Sequence, residues 1–225
     1  IGNINPNDEA TRQIICTWLG GLKTDKSREK YTDHGIRYPK GKVNNYFSKE
    51  METKTASNRI VYTGKMKATL ANRINMGIIG DILGTRYLES IREKEGGSYG
   101  VGCAGYVVQN TIEQAVLLMQ LDTDPENPEK PMAIIHKEVM EIVENGPRAD
   151  DLQKAKENRI NSLAEDMADN GWWGTILDRY YQDGIDYVKD YKRTLEKVNA
   201  KSIQKTLKAL VKQGNVAEIV MMPAK

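Results

Sequence analysis

The sequence is poor in metal-binding and redox side chains. It has two histidines, His34 and His136, and two cysteines, Cys16 and Cys103, in 225 residues. Neither H-E-x-x-H nor H-x-x-E-H occurs, and the cysteines form no C-x-x-C. A zinc site takes three or four such ligands, so these residues do not suggest a metal centre within the chain. Both cysteines read as buried small hydrophobes. No apolar run approaches the roughly 18 residues that span a bilayer. No charge of one sign dominates: 33 basic and 31 acidic side chains leave a net charge of +2, which gives no pull toward nucleic acid or anionic lipid. There is no signal-peptide pattern and no initiator Met. The chain opens inside an apparent strand, "IGNI", and reads as an excised segment of a longer protein.

What is present is ordinary globular patterning. "IGNINPNDEATRQIICTWLGGL" reads as strand, turn and helix, with Asn5 or Asn7 as cap and Ile14, Ile15, Trp18, Leu19 and Leu22 as an apolar stripe. Residues 23–55 are polar, broken by Gly35, Pro39 and Gly41, and read as a linker between domains. A strand follows in "NRIVYTGKM", then a long helix from about Thr69 to Glu95. Two strand-like runs, "SYGVGCAGYVVQ" and "TIEQAVLLMQLDTD", suggest an antiparallel pair. A helix over about 129–145 is expected next. Pro147 and Asp150-Asp151 then start a helix running through Leu163 toward Trp172, Trp173 and Leu177. "DGIDYVKDYKRTLEKV" and "NAKSIQKTLKALVKQG" read as two further helices, the second capped by Asn199, before a last strand in "NVAEIVMMPA". This order predicts an α+β fold, a largely antiparallel sheet with helices on one face.

Two motifs compete for the function in residues 90–105, "SIREKEGGSYGVGCAG". "GVGCAG" fits the dinucleotide fingerprint, with Asp122 or Asp124 near the place of a ribose-binding acid, but a helix precedes it and β-branched residues follow. Glycines in a strand where another backbone or a ligand approaches closely explain it better. His136 has no second ligand on its helix, and Trp172-Trp173 read as packing anchors. Arg92 and Tyr99 stand seven residues apart across Gly96-Gly97, Arg92 in the last turn of a helix and Tyr99 at the start of a strand. A double-glycine fold-back lets both tips reach one point, where a guanidinium and a phenol can hold a peptide carbonyl or an oxyanion. The competing reading pairs Arg92 with Glu89 or Glu95 and leaves Tyr99 as packing.

The stretch "GTRYLESIREKEGGSYGV" resembles a late domain of the pitrilysin, insulin-degrading enzyme and mitochondrial processing peptidase family of inverted-motif zinc metallopeptidases. "NGPRADDLQKAKENR", "DNGWWGTILDRYYQDGID" and "VNAKSIQKTLKALVKQGNVAEIVMMP" are similar to its later segments, most like the long bacterial members. The resemblance implies two clamshell halves of repeated α+β domains. Residues 1–22 would close the preceding domain, 23–55 link, and 56–225 form a C-terminal domain. Zinc would be held by the missing N-terminal half, and none by this chain. Arg92 and Tyr99 would bind a peptide or unfolded polypeptide substrate. An inactive scaffold or peptide-binding subunit of the same fold is the alternative. The long bacterial members are often exported, which points to the periplasm.

Overall fold

The computed structural model describes residues 2–25, 32–52, 54–95, 101–109, 111–126, 128–184 and 186–224, with backbone but not side chains at 91–95 and 183. Helix α1 (Glu9–Trp18) starts where the Asp8 carboxylate accepts the Thr11 N–H at 2.9 Å. Asn5 instead accepts from the Asn7 amide at 3.0 Å in the turn before it. Among the described residues no strand precedes α1, so the strand expected at the start does not form there.

Five strands form one sheet among the described residues: β1 (Lys42–Lys49), β2 (Ala56–Lys65), β3 (Val101–Val108), β4 (Gln114–Thr123) and β5 (Asn215–Pro223), in the order β1-β5-β2-β4-β3. β2 is antiparallel to both β4 and β5, and β3 is antiparallel to β4. Only β1 runs parallel to its neighbour, β5. The fold is the expected α+β arrangement with one parallel edge.

β1 corrects the reading of residues 23–55 as linker, because 42–49 belong to the sheet. Seven of its eight side chains are exposed and only Val43 is half-buried, so the segment carries no core-facing pattern. Its strand conformation comes from backbone pairing with β5, about 170 residues further along, and a local sequence window cannot contain that information.

Helices α2 (Leu70–Glu95), α3 (Glu129–Asn145) and α7 (Ala200–Val211) cover one face of the sheet. Ile60 and Tyr62 of β2, Leu117, Met119 and Leu121 of β4 and Val220 of β5 meet Ile78, Ile79, Ile82, Ile135, Val139, Ile203 and Leu207 in one core. The long helix expected through Leu163 is two helices, α4 (Ala149–Asp166) and α5 (Asn170–Asp183). The break falls where Asp169 caps α5, its carboxylate accepting the Trp172 N–H at 2.7 Å. Pro147 lies outside α4, before its cap residue Arg148. Of the helix expected from Asp183, the described residues form only α6 (Tyr191–Glu196), and Gly184 ends α5 in the left-handed region at φ 70°. No described helix is long and apolar enough to cross a membrane.

Candidate functional site

The last glycine of "GVGCAG", Gly105, serves packing. A Cβ on Gly105 would lie 2.0 Å from the Met76 carbonyl oxygen, and one on Gly80 would lie 2.6 Å from the Gly105 nitrogen. Helix α2 therefore rests directly on strand β3, and only paired glycines allow that approach. The third glycine packs the preceding helix and opens none, which removes the geometry of a dinucleotide site.

The same contact orients the Arg92 end of α2. Gly80 lies over Gly105, and a Cβ on Gly84 would lie 3.6 Å from the Cβ of Cys103. Four helical residues rise about 6 Å and two strand residues about 6.6 Å, so helix and strand run in step in opposite directions. The last turn of α2, which carries Arg92, and the first residue of β3, Val101, thus stand at one end of the layer. The Arg92 side chain and Tyr99 lie outside the described residues.

The C-terminal half of α2 is anchored by charge. Arg86, 2% exposed, donates from Nε to Asp151 Oδ2 at 2.8 Å and from Nη1 to Glu138 Oε2 at 3.2 Å. Ser90 Oγ donates to Glu138 Oε1 at 3.3 Å, and the Tyr87 hydroxyl to the Ile135 carbonyl at 3.3 Å. Three helices are tied at one guanidinium, six residues before Arg92. A fork with two carboxylates compensates the desolvation that a lone buried charge would suffer. Glu89, one of the acids weighed as a partner for Arg92, lies 3.9 Å from Arg148 in an exposed pair.

His136 belongs to a chain of polar groups that the sequence did not announce. Its Nδ1 lies 2.5 Å from the Tyr62 hydroxyl and its Nε2 2.8 Å from Glu218 Oε1, while the Tyr46 hydroxyl donates to Glu218 Oε2 at 3.2 Å. A neutral ring protonated on Nε2 satisfies both contacts, donating to the carboxylate and accepting from Tyr62. Burial, and then the Glu218 charge, hold the Tyr62 hydroxyl well above the usual phenol range. The chain knits α3 to β2, β5 and β1. The one signal for it was parity: Val216, Glu218 and Val220 share a face of β5, and two of the three are apolar.

The remaining candidates fall as follows. Cys103 is half-buried, and burial pushes its thiol up to about 12. Cys16 is exposed, a correction to the reading of both as buried, because α1 covers nothing. Trp172 and Trp173 meet edge-on at 5.0 Å, and the Trp173 indole donates to the Met167 carbonyl at 2.8 Å. They close the α4–α5 corner instead of anchoring a helix on the sheet. Among the described residues no three His, Cys, Asp or Glu side chains gather as a metal site. The described residues do not fit a zinc ion.

The sheet face opposite the helices carries a row of apolar side chains across all five strands: Val43, Ala217, Val61, Leu118 and Ala104. The next row, Asn45, Ile219, Arg59, Gln120 and Gly102, is mixed. Phe47 and Tyr106 on this face are 40% and 37% exposed.

Known proteins share this architecture. The periplasmic protease PqqL from Escherichia coli superposes with a TM-score of 0.76 at 15% identity, over 99% of this chain and 25% of that one. A protease from Helicobacter pylori gives 0.75 at 14% identity, over 99% and 54%. A peptidase M16 inactive domain from Pseudomonas fluorescens gives 0.66 at 18% identity, over 84% and 45%. The chain thus spans from about a quarter to about half the length of these structures. No curated protein matches the sequence. The family model described as Peptidase M16 inactive domain matches residues 1–159, more than half of the 225 residues. With that match and a helix-backed sheet, the chain belongs to the Peptidase M16 inactive-domain family.

Proposed function

We propose that the chain is the non-catalytic part of a zinc metalloendopeptidase, closing the substrate chamber and gripping the peptide backbone through Arg92 and Tyr99. The observation that carries this reading is the shared end of α2 and β3, with the helix fixed by the Arg86 network six residues before Arg92. A helix held that firmly gives its last turn a defined position, as transition-state contacts require. The apolar and mixed rows of the sheet face opposite the helices suit the wall of a chamber for extended polypeptide. Zinc and its ligands are assigned to the rest of the full-length protein, and no residue of this chain to the metal. The periplasm is the compartment this reading carries.

The test is Tyr99→Phe in the full-length protein, with kcat/KM on an unstructured peptide measured beside the melting temperature. A donor to the reacting carbonyl is worth about 10²–10³ in rate, expressed mainly in kcat. That loss is expected with an unchanged melting temperature. Wild-type turnover removes Tyr99 from the site. Full-length protein that binds the peptide and does not cleave it supports the scaffold reading instead.

A further inference from the structure

Residues 36–40 form a strap across one end of the sheet, on the face away from the helices. Gly35 and Gly41 bound it, both in the left-handed region at φ 71° and 76°. One end is pinned to β5: the Gly41 N–H donates to Asn215 Oδ1 at 2.9 Å, and the Gly41 carbonyl accepts the Val216 N–H at 3.0 Å. Toward the other end, the Tyr38 hydroxyl is hydrogen-bonded to that of Tyr106 on β3. In the strand order β2 and β4 lie between β5 and β3, so the strap passes over both. Arg37, within it, is neutralised by Asp33, its Nη1 donating to Oδ1 at 2.8 Å.

Between the strap and the sheet lies a cavity of about 880 Å³, a size that suits a small organic molecule. Two chemistries line it. Tyr38, Pro39, Met66 and Ile112 give it an apolar side. Lys40, Lys65 and Lys67 give it a basic side, against the single carboxylate of Glu113, whose Oε1 accepts the Ala68 N–H at 3.0 Å. Among the described residues the three ammonium groups have no hydrogen-bond or ion-pair partner. Helix α2 starts three residues after Lys67, and its positive end favours the same sign of ligand. Thr63 of β2 also lines the cavity, on the strap side of the sheet, and is 3% exposed. Among the described residues its hydroxyl has no hydrogen-bond partner. A buried hydroxyl left in that state gains from any acceptor that reaches it.

We propose that this cavity binds a compact amphipathic anion, its apolar body under the strap and its carboxylate among Lys40, Lys65 and Lys67, with the Thr63 hydroxyl as a further donor. The apolar side removes the body of the ligand from water, and the lysines select its charge. Without the apolar body an anion has only exposed ammonium groups to hold it, and without the charge the body leaves the lysines and Thr63 as they are. Helix α2 begins at this end of the sheet and carries Arg92 to the other, so the site is separate from Arg92 and Tyr99 and does not depend on their role.

The test is isothermal titration calorimetry on the full-length protein with octanoate, octanamide and acetate as probes. Saturable binding of octanoate is expected. Octanamide, of the same length and without the charge, should bind roughly tenfold more weakly, and acetate should not saturate. Lys40→Gln combined with Lys65→Gln should weaken octanoate roughly tenfold and leave octanamide unchanged, at an unaltered melting temperature because both side chains are exposed. Thr63→Val, which removes the hydroxyl and keeps the shape, should weaken octanoate severalfold. Arg92 and Tyr99 substitutions should leave the affinity unchanged, so this inference and the chamber reading fail separately. Absent saturation, equal affinity for the amide, saturable binding of acetate, or indifference to either replacement overturns the proposal.

Discussion

Helices α1 and α7 carry nearly the same local instructions and end in opposite circumstances. α7 begins with a reciprocal cap between Asn199 and Ser202 and buries Ile203, Thr206, Leu207 and Leu210. α1 begins with Asp8 capping Thr11 and sets Ile14, Ile15, Trp18 and Leu19 on one side, yet none of its described side chains is buried. Trp18 is 74% exposed, and Leu207 is fully enclosed. Periodicity marks the face that favours leaving water. Whether it does so depends on another surface arriving opposite, and for α7 that surface is β2 and α2, more than a hundred residues earlier. Helices of ten and twelve residues are marginal by themselves, so α7 draws its stability from packing, and among the described residues α1 has only its cap and contacts along its own surface.

The sharpest way to stress the packed half is to strip its buried charge. Arg86→Ala leaves Glu138 and Asp151 facing each other without the guanidinium, and should cost about 3–5 kcal/mol in denaturant unfolding. A cost near zero would show that the fork does not hold the helices. Next comes the hydrophobic side of α7. Leu207→Ala should cost about 2–5 kcal/mol, because the site is sealed and cannot collapse fully.

A chemical readout separates the two regions without mutation. Cys16 on α1 is exposed, whereas burial raises the Cys103 thiol from 9 to about 12. Near pH 8 Cys103 then holds about a thousandfold less thiolate than a thiol at 9, so a thiol reagent should titrate one cysteine quickly and the other only on unfolding. Between pH 9 and about 12 the folded thiol keeps a proton that the unfolded one has lost. Its contribution is therefore complete below 9, and stability should fall as pH rises through that window. Two cysteines reacting at equal rates would place Cys103 in solvent. The smallest effect belongs to α1: Trp18→Ala should change the unfolding free energy of this chain by no more than about 0.5 kcal/mol. A larger loss would mean that the stripe is covered after all.

Much of the sheet and its helical layer was legible. The segments β2, α2, β3, β4, α3, α7 and β5 each combine a clear period with a stop signal, as at Gly214, where φ is 73°. β1 was not legible, because its exposed side chains carry no inward alternation and its conformation follows from a distant partner. The α4–α5 corner was missed because the apolar spacing of Ile160, Leu163 and Trp172 runs on across the break at Asp169. Of the candidate site, the sequence singled out Arg92 and Tyr99 through their spacing about a double glycine. It was silent on Arg86 with Glu138 and Asp151, and on Tyr62 with His136 and Glu218, which are separated by 52 to 82 residues.

By itself the sequence determined which faces are apolar, where most of the long elements stop, and that a backbone or a ligand comes close to one glycine-bearing strand. These are properties of neighbouring residues, set by backbone sterics and by the 3.6- and 2-residue periods. Only the tertiary structure decided which polar groups meet and which apolar stripes are covered. A buried arginine is tolerable when two carboxylates from other helices close on it, and a histidine in the helix layer when a phenol and a carboxylate from the sheet do the same. Those partners are brought together by the packing of the whole layer, and no local pattern encodes their distance.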